Sequence, residues 1–280
     1  MTKRMNAVLW LLLAAFLTGE AAPAFAQQIL NDVLLRHGIP VKGRGPEGAF
    51  DDGAVPAVPV QPGSFAAPIA VLQSGDGPDR IRAAYTFAVL AGRSARLVPP
   101  ADMAAVGPIL LQMVGSDNSR TRIAGARVAG RVFARSFQEL GTPTGRPAGL
   151  TDALFVLLNR TTGVDQLVAM DALGLLRESS AVPSLTERFQ FYRDSNKRAL
   201  AGGAVEALAR IGDPSSVALV KALVGDKWAT RGDSASLAVL FARERLLKDG
   251  SIAKIEQVLR EKMRHQQARA YLAELSDVVP

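Results

Sequence analysis

Residues 207–217 read Ala207-Leu208-Ala209-Arg210-Ile211-Gly212-Asp213-Pro214-Ser215-Ser216-Val217. Apolar, alanine-rich stretches precede and follow this segment, which predicts two helices, near 196–211 and 214–225, with a short turn between them. Pro214 falls in the first turn of the second helix, where its missing N–H does no harm. The segment therefore predicts a pair of helices joined by a tight connection.

The same unit recurs along the chain. A shift of 35 residues aligns Ala172-Leu173 with Ala207-Leu208, and a shift of 40 aligns the stretch 80–84 with 120–124. Neither unit could bury its apolar face alone, so we expect neighbouring units to stack on one another. Gly202-Gly203, inside a predicted helix, would weaken that helix and indicates a close helix approach or a kink.

An Asp or Asn separates the apolar runs at intervals of 32 to 42 residues, at Asp76, Asp117, Asn159, Asp194 and Asp226. A period in that range is typical of stacked supersecondary units. One such residue per unit places them about 10 Å apart, too far to share a proton or a metal ion. We therefore expect them to cap the helices that follow. The predicted helices lie near 79–92, 102–114, 119–140, 149–159, 164–177, 181–193, 196–211, 214–225, 233–248 and 251–276, the last broken around His265.

The composition favours helices over sheets. Hydrophobic residues make up 48% of the 280 residues but aromatic residues only 6%, and alanine and leucine dominate. A core of such small side chains suits closely packed helices better than a sheet sandwich. The chain has no cysteine, which excludes disulfides, thiolate metal ligands and a cysteine nucleophile.

The segment 207–217 resembles the turn between helices in HEAT-like repeats, in particular the type named after phycobilin lyases. The stretches 117–122 and 226–231 resemble that family's turn between repeats. The resemblance covers roughly residues 70–263. It implies an all-α fold, an α-solenoid of about five HEAT-like helix pairs (an α/α superhelix of the armadillo type) over residues 69–280. HEAT-like proteins include adaptors, scaffolds, regulators and a few enzymes, so the resemblance implies a fold and not an activity.

The N-terminal residues predict export. Lys3 and Arg4 precede an apolar run over 7–17, and Ala24-Phe25-Ala26 supplies a small-x-small cleavage site, so residues 1–26 are predicted to be a signal peptide. An uncleaved anchor is the alternative, although the run is shorter than the about 20 residues of a membrane span. We predict a periplasmic protein without a transmembrane segment after cleavage, with secretion from the cell as the second choice. Residues 27–37 predict a helix, and 38–68 a Pro/Gly-rich linker or arm.

Catalytic and metal-binding patterns are scarce. His37 and His265 are the only histidines, which leaves no histidine triad and no multi-histidine metal site. Ser251-x-x-Lys254 matches the first motif of penicillin-binding enzymes, but their other motifs are missing and Ser251 suits a helix cap. We therefore predict no catalytic, cofactor-binding or metal site.

Positive charge is concentrated in one part of the chain. The formal net charge is +7, and the range 80–146 holds ten arginines, no lysine and only three acidic residues. Arg127, Arg131 and Arg135 fall at i, i+4 and i+8 on one helix face, with Arg120 within about a quarter turn of that stripe. This face is either solvated or an anion-binding surface, because guanidinium groups suit carboxylates and phosphates.

Trp228 is a further candidate. It is the only tryptophan after the signal peptide. It lies next to a predicted turn between repeats, with core packing or a partner contact as its two readings. Arg120, Arg127, Arg131, Arg135 and Trp228 are thus the candidate partner-binding residues.

These observations favour a non-catalytic function. We predict an exported interaction scaffold or adaptor that uses a concave solenoid surface and the arginine-rich patch. The expected partner is another protein or an anionic envelope surface, and not a nucleic acid. One alternative is a lyase- or isomerase-like enzyme that acts on a bulky ligand in the solenoid groove. Another is a structural subunit of an envelope assembly.

Overall fold

A computed structural model of the protein describes residues 65–93, 98–140, 145–260 and 265–276. Within these ranges all regular structure is helical. The predicted signal peptide (1–26), the predicted N-terminal helix (27–37) and the part of the predicted arm before residue 65 lie outside the described residues. Among the helices of the described ranges, we find none that combines the length and the hydrophobicity needed to span a membrane.

The α-helices follow one another through short connections. They are α1 (Ala66–Ser74), α2 (Gly77–Arg93), α3 (Pro100–Val114), α4 (Ser119–Leu140), α5 (Leu150–Arg160), α6 (Val164–Leu175), α7 (Val182–Asp194), α8 (Arg198–Ile211), α9 (Ser216–Ala222), α10 (Ser234–Leu247), α11 (Ile252–Arg260) and α12 (His265–Ser276). A 3₁₀ turn, Ser179–Ala181, leads into α7.

The helices pack in a regular order. Each even-numbered helix packs on the next even-numbered one, so that α2, α4, α6, α8, α10 and α12 form one row. Each odd-numbered helix packs against the even-numbered helix that follows it. The core lies between the row and its odd-numbered partners, and its members include Phe133, Leu154, Phe189 and Phe241. The all-α prediction is thereby confirmed.

Glycine allows the helices of the row to approach closely. At three successive contacts a glycine faces an alanine of the next helix, and a Cβ on the glycine would lie 2.8–2.9 Å from the alanine Cα. The pairs are Gly130 with Ala172, Gly174 with Ala207, and Gly202 with Ala235. Real Cβ atoms do not reach such distances, so these helix backbones are in near-direct contact. The predicted close approach at Gly202 is confirmed.

Ion pairs also join neighbouring helices of the row at their N-terminal ends. Arg122 in α4 donates through Nε to Asp165 at the start of α6, over 3.0 Å. Arg198 at the start of α8 donates to Asp233, which precedes α10, through two hydrogen bonds. Asp233 also accepts from the backbone N–H of Ser236 and so caps α10. Burial would raise the pKa of Asp233, but the bonds from Arg198 and Ser236 hold it well below its usual range.

Three of the five periodic residues, Asp117, Asn159 and Asp194, do not cap the helices that follow them, contrary to the prediction. At α4 the capping side chain belongs to Asn118, which accepts from the N–H groups of Arg120 and Thr121, and not to Asp117. Asn159 and Asp194 lie in the last turns of α5 and α7. Those two side chains therefore stand at the wrong end of a helix to cap one.

Candidate anion-binding groove

A groove of about 560 Å³ lies where α5 ends, α6 begins and α8 begins, with α7 along one wall. Three cations from three different parts of the chain line it: Arg160 ends α5, Arg188 lies in the middle of α7, and Lys197 directly precedes α8. Arg160 and Lys197 are exposed, and Arg188 is half-buried. Among the described residues, the lining includes no aspartate, glutamate or histidine.

One face of α7 supplies much of the groove wall. Arg188, Phe191 and Tyr192 fall at i, i+3 and i+4, a spacing that places their side chains side by side on a helix. Tyr192 is buried in the core, whereas the Phe191 side chain is 52% exposed. The two rings meet edge to face with their centroids 5.5 Å apart. The Lys197 ammonium lies 5.3 Å from the Phe191 ring centroid, within range of a cation–π contact.

A neutral amide holds the Arg188 guanidinium in place. The guanidinium Nη2 donates to Asn159 Oδ1 over 3.1 Å, and its positive charge lies close enough to the Tyr192 hydroxyl to lower the pKa of that group. The hydroxyl donates to Gln166 Oε1 over 2.8 Å, and Gln166 Nε2 donates to the Leu158 carbonyl over 3.0 Å. Burial raises the pKa of Tyr192 although Arg188 lies against it, so this hydroxyl stays protonated at neutral pH. Arg188 is therefore oriented without being neutralised.

The groove cations differ from the arginines of the described ranges that pair with carboxylates. Seven arginines there form ion pairs with a carboxylate within 4.0 Å: Arg82, Arg122, Arg146, Arg193, Arg198, Arg210 and Arg243. Arg160, Arg188 and Lys197 form no such pair with any described residue. A concave surface lined by one sign of charge concentrates its field on incoming ligands of the opposite sign.

The arginine face predicted on α4 is a different surface. Arg120 is exposed and Arg127 and Arg131 are half-buried, and all three interact with other groups of the protein. Arg135 belongs to the same helix, but its side chain lies outside the described part of the structure. Arg120, Arg127 and Arg131 do not line the groove.

Trp228 lies in the core, with 8% of its surface exposed. Its ring meets Phe189 edge to face at 5.6 Å, and the Arg198 guanidinium lies 4.6 Å from the ring centroid. The environment of Trp228 is thus set by packing within the protein.

A buried ionic cluster joins α12 to α6 and α8. Arg210 of α8 bonds to Asp171 of α6, to Glu206 of α8 (2.6 Å) and to Glu274 of α12 (2.7 and 2.9 Å). Tyr271 donates to Glu206 over 2.6 Å. All three guanidinium nitrogens of Arg210 are engaged, which identifies the cluster as a structural connection.

The cluster changes the acidity of its members. Burial disfavours the charged guanidinium, but the three surrounding carboxylates hold the pKa of Arg210 well above its usual range. Burial raises the pKa of Glu206, Arg210 opposes that rise, and the negative charges of Asp171 and Glu274 add to it. Within the described ranges, no group of three or more histidines and acids is arranged to hold a metal ion.

The sequence patterns did not predict the groove, although one groove residue occupies a periodic position in the sequence. Asn159 was singled out by its periodic position, and the structure shows its side chain bonded to Arg188 on another helix. Comparison of the chain with protein-family models, with curated proteins and with solved structures finds no match.

Proposed function

We propose that this protein is an exported, non-catalytic binding scaffold in which an α-solenoid presents the groove to an anionic partner. One observation carries the proposal: Arg188 is held by the neutral Asn159 amide in a groove whose described lining has three cations and no carboxylate. The row of even-numbered helices with odd-numbered partners supports the solenoid arrangement. Export rests on the predicted signal peptide, residues 1–26.

The geometry of Arg188 favours binding of carboxylate or phosphate groups. A guanidinium has five N–H donors in a fixed fork, and the bond to Asn159 uses one of them. Because the side chain is already oriented, a ligand does not have to offset the full entropic cost of ordering it. An anion would therefore meet a charged, pre-positioned donor.

The groove offers little for acid–base catalysis. A general acid or base works best with a pKa near the operating pH. Its described lining residues include no histidine or carboxylate, and burial raises the pKa of its tyrosine, Tyr192, away from neutrality. The side chains of the groove therefore favour ligand binding over acid–base catalysis.

The proposal places the binding surface in the groove rather than on the arginine face of α4. Arg127 and Arg131 are half-buried and engaged with other groups of the protein. Arg160 and Lys197, in contrast, are exposed and form no ion pair with a described residue. The groove therefore keeps more of its positive charge available to a partner.

A defined polyanion tests the proposal. Fluorescence anisotropy would measure the affinity of labelled decaglutamate for the wild type and for the triple variant Arg160→Gln, Arg188→Gln, Lys197→Gln. We expect a loss of about tenfold or more, because one hydrogen bond to a charged group contributes about 1.5–3 kcal/mol and 1.4 kcal/mol is tenfold. Circular dichroism would verify that the variant is folded.

A matched variant controls for net charge. Lys221→Gln, Arg231→Gln and Lys254→Gln together remove the same charge from exposed positions outside the groove. This control is expected to bind decaglutamate within about twofold of the wild type, since scattered surface charges are screened by salt. Equal losses in the two triple variants would show that only net charge matters and would overturn the proposal.

A further inference from the structure

We infer that the groove binds an extended acidic segment of a partner protein that also carries apolar side chains, and not an isolated anion. This inference rests on the proposed function. The groove combines positive charge with exposed apolar area, and we expect the partner to complement both.

The first apolar element is Phe191. It is the one aromatic residue among the large hydrophobic side chains that stand exposed in the described ranges. It lies one turn from Arg188 on α7, under the Lys197 ammonium. A ligand group bonded to Arg188 would therefore lie beside the exposed part of the phenyl ring. Covering that ring would remove apolar area from water in the same event that pairs the charges.

The second apolar element extends the surface along α5. Val156 is 49% exposed and lies one turn before Arg160, so the two side chains share a face of this helix. The hydrogen bond from Arg188 to Asn159 ties α5 to α7 at this point. Two helices thus each present a cation with an exposed apolar neighbour. A single small anion would contact one such pair, whereas a peptide that mixes acidic and apolar residues would contact both.

The size of the groove is compatible with a ligand larger than a simple anion. Its volume of about 560 Å³ lies within the usual range for ligand-binding clefts. Thr162, Gly163 and Lys197 on its margin are exposed, which lets a bound chain enter and leave. An anionic membrane surface fits less well, because Arg188 is half-buried and tied to Asn159 rather than projecting outward.

Binding assays with four probes distinguish an acidic peptide with apolar side chains from an isolated anion and from an anionic membrane. The probes are a labelled heptapeptide of alternating glutamate and phenylalanine, the same peptide with serine in place of phenylalanine, inorganic phosphate as a competitor, and phosphatidylglycerol vesicles. We expect the phenylalanine peptide to bind about fivefold or more tightly than the serine peptide, because it covers exposed apolar area. Phosphate at millimolar concentration and the vesicles are expected to compete weakly.

Substitution of the apolar element provides the specific readout. Phe191→Ser is expected to abolish the preference for the phenylalanine peptide, because the exposed ring that favours that peptide is then missing. Val224→Ser, which changes a similarly exposed apolar residue outside the groove, is expected to keep the preference. Circular dichroism would confirm that both variants are folded.

The outcomes distinguish this inference from the proposed function. Equal affinities for the two peptides, or a preference that survives Phe191→Ser, would overturn the inference while anion binding stands. Full competition by phosphate or by vesicles would identify an isolated anion or a lipid surface as the ligand and would also overturn it. If the triple variant of Arg160, Arg188 and Lys197 binds every probe as the wild type does, both the inference and the proposed function fail.

Discussion

Replacing Arg210 by methionine is expected to destabilise the fold strongly. Methionine approximates the length of the side chain but leaves Asp171, Glu206 and Glu274 facing one another without a cation. Removing one partner of a buried ion pair typically costs about 3–5 kcal/mol. The Asp171 and Glu274 side chains keep 27% and 30% exposure and can be partly rehydrated, which places the expected loss near the lower limit, about 3 kcal/mol.

The pH dependence of the Arg210→Met effect follows from Glu206. Its pKa is already raised by burial and by the neighbouring acids, and Arg210 opposes that rise. Without Arg210 the pKa of Glu206 would rise further. A group with a raised pKa in the folded state stabilises the fold fully below its unfolded pKa, about 4.3, and loses that contribution as the pH rises. The deficit of the variant is therefore expected to be largest near pH 7 and smaller at pH 4.5.

Urea denaturation at both pH values, followed by circular dichroism, would measure the free energy of unfolding. Thermal melts should show a drop in Tm of about 6–12 °C for a loss of 3 kcal/mol in a domain of this size. Arg82→Met is the matched control, because Arg82 pairs with Asp79 on the surface with 66% of its side chain exposed. Such a pair contributes at most about 1 kcal/mol. A loss below 1 kcal/mol for Arg210→Met, or a loss that grows as the pH falls, would refute this reasoning.

Three further predictions concern the helix row, a helix cap and the groove. Gly202→Ala is expected to lower the free energy of unfolding by about 1–3 kcal/mol, because the new Cβ would lie 2.9 Å from Ala235 Cα. Gly77 has open space around it, so Gly77→Ala should be neutral or slightly stabilising. The Tm values of the two variants measure the difference. Asp233→Ala should lower the free energy of unfolding by about 1–2 kcal/mol at pH 7 through the lost cap. Because the pKa of Asp233 is depressed, the difference from the wild type should shrink in urea titrations below about pH 3.9. A difference that stays constant with pH would contradict this prediction. The affinity for decaglutamate should fall steadily between low and physiological salt, and a salt-independent affinity would be incompatible with a charge-driven groove.

The sequence predicts the helices well because apolar periodicity and helix breakers are local signals. The predicted helix 119–140 matches α4, and 196–211 differs from α8 by two residues at its start. The sequence gives weaker guidance near residue 66, where we expected an arm up to 68. There α1 begins at Ala66, and Pro68 and Ile69 are buried within it. Contacts with α2 and α3 stabilise this short helix, and such contacts are not visible in a local pattern.

The groove could not be predicted from sequence, because its chemistry depends on which residues meet across helices. Arg160, Arg188 and Lys197 look like ordinary surface cations in sequence. What distinguishes them is the neutral Asn159 partner of Arg188 and the lack of ion pairs to described residues. Arg210, in contrast, stands in the segment that predicts the fold, yet its partner Glu274 is 64 positions away.

The long-range bond between Arg210 and Glu274 affects local unfolding of the helix row. Helices stacked in a row interact mainly with their neighbours, and such arrays can fray from their ends one unit at a time. The bonds from Arg210 to Asp171 and Glu274 connect α6, α8 and α12, which are not all neighbours in the row. Amides of α8 and α12 are therefore expected to exchange hydrogen with solvent in a common, concerted opening, because the C-terminal helix cannot detach without exposing the charges that α8 buries.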